Sequence, residues 1–181
     1  MKEIFNNFLN QYRKAIEKDI DIECLAKASD LISKTVSKQG KLIFVGNGGS
    51  AAMSSHVAVD FTKNAGIKAI NFNEADLITC FANDYGYENW VTKSLEFYAD
   101  SDDLVFLTSS SGNSKNIVNA AQYCSDNSID LITLSGFDIS NDLRSFGNVN
   151  FWVDSSEYNI VEMTHHIILL LLVDGFINTD N

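Results

Sequence analysis

Apolar residues recur at Ile4, Phe5, Phe8, Leu9, Tyr12 and Ile16, three and four positions apart, which is the period of a helix with one apolar stripe. A second periodic segment runs from about residue 22 to 36 and meets a stop signal at Gly40. Residues 1–40 therefore read as a pair of amphipathic helices. The pattern then changes. Lys41-Leu42-Ile43-Phe44-Val45 is a short, mostly apolar run that ends in Gly46-Asn47-Gly48-Gly49-Ser50, and residues 51–62 return to helical spacing. Further apolar or alternating runs at 68–72, 104–108, 130–134 and 149–153 read as strands. Residues 74–98 read as helix in two pieces, broken near Asn83-Asp84-Tyr85-Gly86. The last helix, about 160–177, is apolar nearly all round its middle, so it must lie against the sheet or another subunit.

Strands that alternate with helices predict a largely parallel sheet covered on both faces, with ligands held at the carboxyl ends of the strands. The fold class expected is α/β, a three-layer α/β/α sandwich around a five-stranded parallel sheet. At 181 residues one domain spanning 1–181 is the expectation, with a core large enough to need no disulfide or structural metal.

Charge narrows the choice of partner. Thirteen basic residues (Lys and Arg) stand against 24 acidic ones, a formal charge of −11, so the summed field repels nucleic acid and anionic membrane. Neither is an expected partner. A bound phosphate must be held locally, by backbone N–H groups, hydroxyls and helix N-termini. Cys24, Cys80 and Cys124 are odd in number and form no C-x-x-C pair, which fits reduced thiols in a cytoplasmic protein. The opening residues do not read as a signal peptide, and the run Ile167 to Val173 is too short to span a bilayer.

Two loops carry the candidate chemistry. Gly46-Asn47-Gly48-Gly49-Ser50-Ala51 puts three glycines where a strand turns into a helix, so backbone can approach a ligand and aim N–H groups at an anion. The same residues satisfy G-x-G-x-x-A, which makes a nucleotide-binding domain a competing reading. That fingerprint wants an acidic residue at the end of the next strand, and the first one offered is the late Glu74. The second loop, Thr108-Ser109-Ser110-Ser111-Gly112-Asn113-Ser114, lies between an apolar strand and a helix. Its hydroxyls beside free helix N–H groups form a phosphate cradle without positive charge, and a dinucleotide site has no use for it. No nucleotide cofactor is expected.

The first loop followed by His56, then Asn83-Asp84, then Ser109 to Ser114, resembles the sugar isomerase (SIS) domain, and within it the phosphoheptose isomerase family. The resemblance covers nearly the whole chain and is specific at both loops. It implies an SIS-type, flavodoxin-like sheet and an aldose–ketose isomerase of sedoheptulose 7-phosphate, serving heptose biosynthesis for lipopolysaccharide or capsule. It further implies a cytoplasmic homotetramer with sites near subunit boundaries. Substrate contacts would come from Asn47, Gly48, Gly49, Ser50, Asn83, Asp84, Ser109, Ser110, Ser111 and Ser114, with the serine loop on the phosphate. Many family members bind zinc, for which His56 and Asp60, four apart on one helix face, would be ligands here.

The chain departs from the family in two places. Asp60 stands where the isomerases have Glu, and Val161 and Leu169 stand where the last helix should carry a Gln and a His. Glu162, His165 and His166 are three and four apart and offer a rearranged site; the competing reading puts one histidine in the core and the other on the surface. Asp60, Glu162 and His165 are accordingly the catalytic candidates, with Asp60 or Glu162 as the base beside the carbonyl. A sugar-phosphate-binding SIS protein without chemistry, acting as a sensor or through a protein partner, is the alternative.

Overall fold

The computed structural model describes residues 1–178. Two helices lead the chain, α1 (Lys2–Asp19) and α2 (Ile22–Ser37). Asp21 starts the second by accepting a hydrogen bond from the Glu23 N–H at 2.9 Å, one of the donors a helix start leaves unpaired. At its end Gln39, rather than Gly40, takes the left-handed backbone conformation, with φ of 65°. Gly40 is needed for a different reason: a side chain there would collide with the Asp102 carbonyl.

The α/β portion follows as β1 (Leu42–Gly46), α3 (Gly49–Lys63), β2 (Ala69–Asn71), α4 (Ala75–Tyr85), α5 (Trp90–Tyr98), β3 (Leu104–Ser109), α6 (Lys115–Asp126), β4 (Asp130–Ser135), β5 (Val149–Trp152) and α7 (Tyr158–Asn178). The five strands are all parallel, in the order β2-β1-β3-β4-β5. Strand side chains alternate between faces. Leu42, Phe44, Leu104, Phe106, Ile132 and Leu134 join the core under α2, α3 and α7. Ile43, Val45, Val105, Leu107 and Leu131 join the core under α5 and α6. This is the three-layer sandwich expected from the sequence.

α7 has the length and hydropathy to cross a membrane. Its stripe Ile160, Val161, Thr164, His165, Ile168, Leu169, Leu172 and Val173 is instead buried within the fold, most of it against the sheet. α1 is the opposite case, since Ala15 is its one buried residue. The order in which strands are added to the sheet reverses between β1, which leads outward to β2, and β3 on its other side. Gly46 is in register with Thr108, so the two loops that leave β1 and β3 face each other across that crevice.

Candidate functional site

The first loop turns on Gly48, whose φ of 54° and ψ of −120° suit glycine alone. Beside it, Asn47 and the buried Asn116 of α6 exchange two amide hydrogen bonds of 2.9 Å. Tyr87 donates to the Asn47 carbonyl oxygen as well, at 3.2 Å. The first loop is thus tied to the helix that the second loop opens.

In the second loop the Ser109 and Ser114 hydroxyls bond each other at 3.0 Å. Ser114 precedes α6 without capping it through its side chain, so its hydroxyl does not occupy the N–H groups of the first turn of that helix. The Ser110 carbonyl accepts from the Gly136 N–H at 2.9 Å and anchors the loop to the end of β4. Between the loops lies a cleft of about 110 Å³ lined by Asn47, Ser50, Thr108, Ser109, Ser110, Ser111, Ser114, Tyr158 and Glu162.

Glu162 brings a carboxylate to that cleft. One oxygen lies 3.4 Å from the Ser110 hydroxyl, and the carboxylate sits so closely over Gly49 that a side chain there would force the carboxylate to move. One turn further along α7, His166 Nε2 meets His56 Nδ1 at 3.0 Å, with the rings edge to face. His56 Nε2 in turn reaches Asp60 Oδ2 at 3.1 Å, and Asn64 donates to the other Asp60 oxygen at 3.2 Å. Desolvation and the neighbouring His56 push the His166 pKa below its usual value, while Asp60 pulls the other way.

Seven of the residues expected at the site do meet in one cleft: Asn47, Ser50, Ser109, Ser110, Ser111, Ser114 and Glu162. Gly48 and Gly49 shape the turn beside it. Others stand elsewhere. Asn83 and Asp84 are exposed at the end of α4, where the Asn83 amide donates to Asp84 at 2.9 Å. His165, a catalytic candidate from the sequence, is corrected: it is fully buried, bonded through Nε2 to the Ser135 carbonyl at 2.9 Å. Burial lowers its pKa to about 4, so it is a neutral core group that no substrate reaches. Asn116 and Tyr158 were missed, while His166 was named in the rearranged site but not among the catalytic candidates. For Tyr158 a signal existed, because Tyr158, Glu162 and His166 fall four apart on one helix.

The zinc that the resemblance implies does not fit the residues present. Val161 and Leu169 are buried apolar side chains with no lone pair to offer. His56 has both ring nitrogens engaged, one with His166 and one with Asp60, so these donors face each other rather than a common centre. Among the described residues no group of three or more His, Cys, Asp or Glu side chains is placed to hold a metal ion.

A five-stranded parallel sheet with hydroxyl and glycine loops at its switch point defines a phosphosugar-binding class of protein, and the sequence pattern of the SIS domain matches residues 5–136. The chain belongs to the SIS domain family. A phosphoheptose isomerase of Helicobacter pylori is 29% identical over 171 residues, covering 90% of this chain and 88% of that protein. One from Cytophaga hutchinsonii is 31% identical over 140 residues, covering 75% of this chain and 70% of that protein. Within the SIS domain family the chain is a member of the phosphoheptose isomerases. The structure of phosphoheptose isomerase GmhA from Neisseria gonorrhoeae superposes with a TM-score of 0.86 at 22% identity, covering 97% of this chain and 96% of that one.

Proposed function

We propose that this chain is an isomerase that interconverts sedoheptulose 7-phosphate and the corresponding aldoheptose 7-phosphate. The observation that carries the reading is the placement of the Glu162 carboxylate in the same cleft as the two-loop phosphate cradle. The cleft has two unlike ends. Ser109, Ser111, Ser114 and the start of α6 suit the phosphate, whereas Ser110 turns its hydroxyl to Glu162.

Isomerisation of a ketose to an aldose moves one proton from C1 to C2 and one from the C1 oxygen to the C2 oxygen. Glu162 takes the C1 proton as the C1–H electrons form the C1–C2 double bond of an enediolate, then returns a proton to C2. Ser110 and Asn47 line the cleft as hydrogen-bond donors to the oxygen on which charge develops. Phosphate binding at the far end supplies the energy that positions the reacting carbons. Asp60, the other candidate base, is committed to His56 and Asn64 and acts on the reaction only through them.

The exposed stripe of α1, with Phe5 58% and Leu9 52% accessible, supports assembly into a closed homo-oligomer, a tetramer as in the family it resembles, working in the cytoplasm. Incubation of the purified protein with sedoheptulose 7-phosphate tests the function: ³¹P and ¹³C NMR should show the aldose product growing to equilibrium. Binding without any product would leave a sugar-phosphate-binding protein in its place.

A further inference from the structure

The other residues that line the cleft are Asn, Ser, Thr and Glu, so Tyr158 supplies its aromatic wall. Tyr158 opens α7, one turn ahead of Glu162 on the same side of the helix. It is 60% exposed, so burial in the core does not account for its ring. Among the described residues its hydroxyl has no hydrogen-bond partner. A free phenol at a polar cleft offers an apolar face and a donor together, the combination with which pockets hold hydroxylated carbon chains.

The ring is held by an unusual stretch of backbone. Tyr158 meets Phe137 edge to face, with ring centroids 4.9 Å apart. Phe137 has a φ of 58°, in the left-handed region that bulky side chains avoid. Its N–H donates to the Ser155 carbonyl at 2.9 Å, while the Gly136 N–H beside it donates to the Ser110 carbonyl at 2.9 Å. The strained corner is thereby joined to the serine loop and to the segment that leads into α7. Phe137 also packs against the cluster of Ala15, Val153, Ile160 and Val161. Glycine would meet the backbone requirement of this corner more easily; what phenylalanine adds is a ring against Tyr158.

The isomerase reading assigns the phosphate to Ser109, Ser111 and Ser114 and the reacting carbons to Glu162, all in one cleft. The hydroxyl-bearing carbons that join those two ends have no residue assigned to them. Resting on that reading, we propose that Tyr158 is a specificity-determining residue that recognises this carbon chain, and that Phe137 is the positioning residue that holds its ring at the cleft. The ring packs on the C–H face of the chain, and the phenol O–H donates to one of its hydroxyls. Phosphate alone satisfies the serine loop and leaves Tyr158 unused, whereas a long-chain sugar phosphate engages both.

The test compares sedoheptulose 7-phosphate with inorganic phosphate by calorimetry on the full-length protein. Tyr158→Ala should weaken binding of the sugar phosphate by about tenfold or more and that of inorganic phosphate by less than about threefold. Phe137→Gly, in which the new residue suits the left-handed corner, should show the same selective loss through the unsupported Tyr158 ring. Equal losses for both ligands in Tyr158→Ala, or wild-type affinity for the sugar phosphate in either variant, would overturn the proposal. So would a wild-type protein that binds inorganic phosphate as tightly as the sugar phosphate, since nothing would then read the chain. Calorimetry needs no turnover, so an inactive wild-type protein with the expected pattern of affinities would sink the isomerase reading and leave Tyr158 as the residue that reads the ligand. In active protein the loss of kcat/KM in Tyr158→Ala should be carried mainly by KM, and a loss confined to kcat would contradict the proposal.

Discussion

Asn47 of the first loop and Asn116 in the first turn of α6, 69 residues apart, pair their side-chain amides through two hydrogen bonds of 2.9 Å. The pair crosses the crevice between β1 and β3 and holds the two halves of the phosphate cradle at one separation. Asn116 does not line the cleft, so its effect on ligand must pass through Asn47. Asn116→Ala takes the Asn116 partner from the Asn47 amide nitrogen and leaves the Asn47 carbonyl oxygen to the Tyr87 hydroxyl, and it should cost about 1–3 kcal/mol of stability. It should also weaken sugar-phosphate binding, measured by calorimetry, although no ligand contact has been removed. Unchanged affinity in a folded Asn116→Ala protein would show that the loops hold their spacing without this pair.

Ser111 lies in the cradle and its hydroxyl accepts the Asn113 N–H at 3.3 Å. Aspartate can keep that local bond while placing a like charge against the phosphate. Ser111→Asp should therefore retain the wild-type melting temperature without ligand and lose the stabilisation that millimolar sugar phosphate confers. A ligand-induced shift equal to that of wild type would remove the second loop from the phosphate site.

The neutral state of His165 makes stability depend on pH. Its folded pKa is about 4 against 6.5 for the unfolded residue, so the unfolded chain gains a proton first as pH falls. The contribution is complete above 6.5, declines as pH falls towards about 4, and amounts to about 3 kcal/mol across that window. Urea midpoints measured between pH 7.5 and 4.5 should drop less steeply in His165→Leu than in wild type, whatever the offset between them at neutral pH. Parallel pH profiles would mean that His165 titrates normally in the folded protein.

Ile4, Phe5, Phe8 and Leu9 are exposed on one stripe of α1 in the single chain. Light scattering at micromolar concentration should report a closed oligomer, and Phe5→Asp with Leu9→Asp should dissociate it. A wild-type monomer would contradict the assembly.

How much of this was visible beforehand differs from residue to residue. The glycines at 46, 48 and 49 and the hydroxyls from 109 to 114 announced both loops, because backbone freedom and capping chemistry are local properties. The parallel order of strands followed from alternation of apolar runs and helices. His165 and His166 were not separable, since a helix apolar nearly all round gives no direction for its core face. The structure resolves them by one step of about 100°, turning His165 to the Ser135 carbonyl and His166 to His56. Asn116 was invisible for another reason. Its partner is distant in sequence, and nothing in Lys115-Asn116-Ile117 distinguishes a tethering amide from an ordinary first-turn residue.

The central claim is that Glu162 removes a carbon-bound proton from a phosphosugar held by the two loops. Solvent exchange measures that step directly, because an enediolate in D₂O takes deuterium at the carbon beside the carbonyl even when net conversion is small. With sedoheptulose 7-phosphate in D₂O, wild-type protein should incorporate deuterium at C1 of the ketose and C2 of the aldose, followed by ¹H NMR. Glu162→Gln should slow incorporation by about 10²–10⁴-fold while binding the sugar phosphate as wild type does. Exchange at the wild-type rate in Glu162→Gln, or none in wild-type protein that binds the ligand, would contradict it.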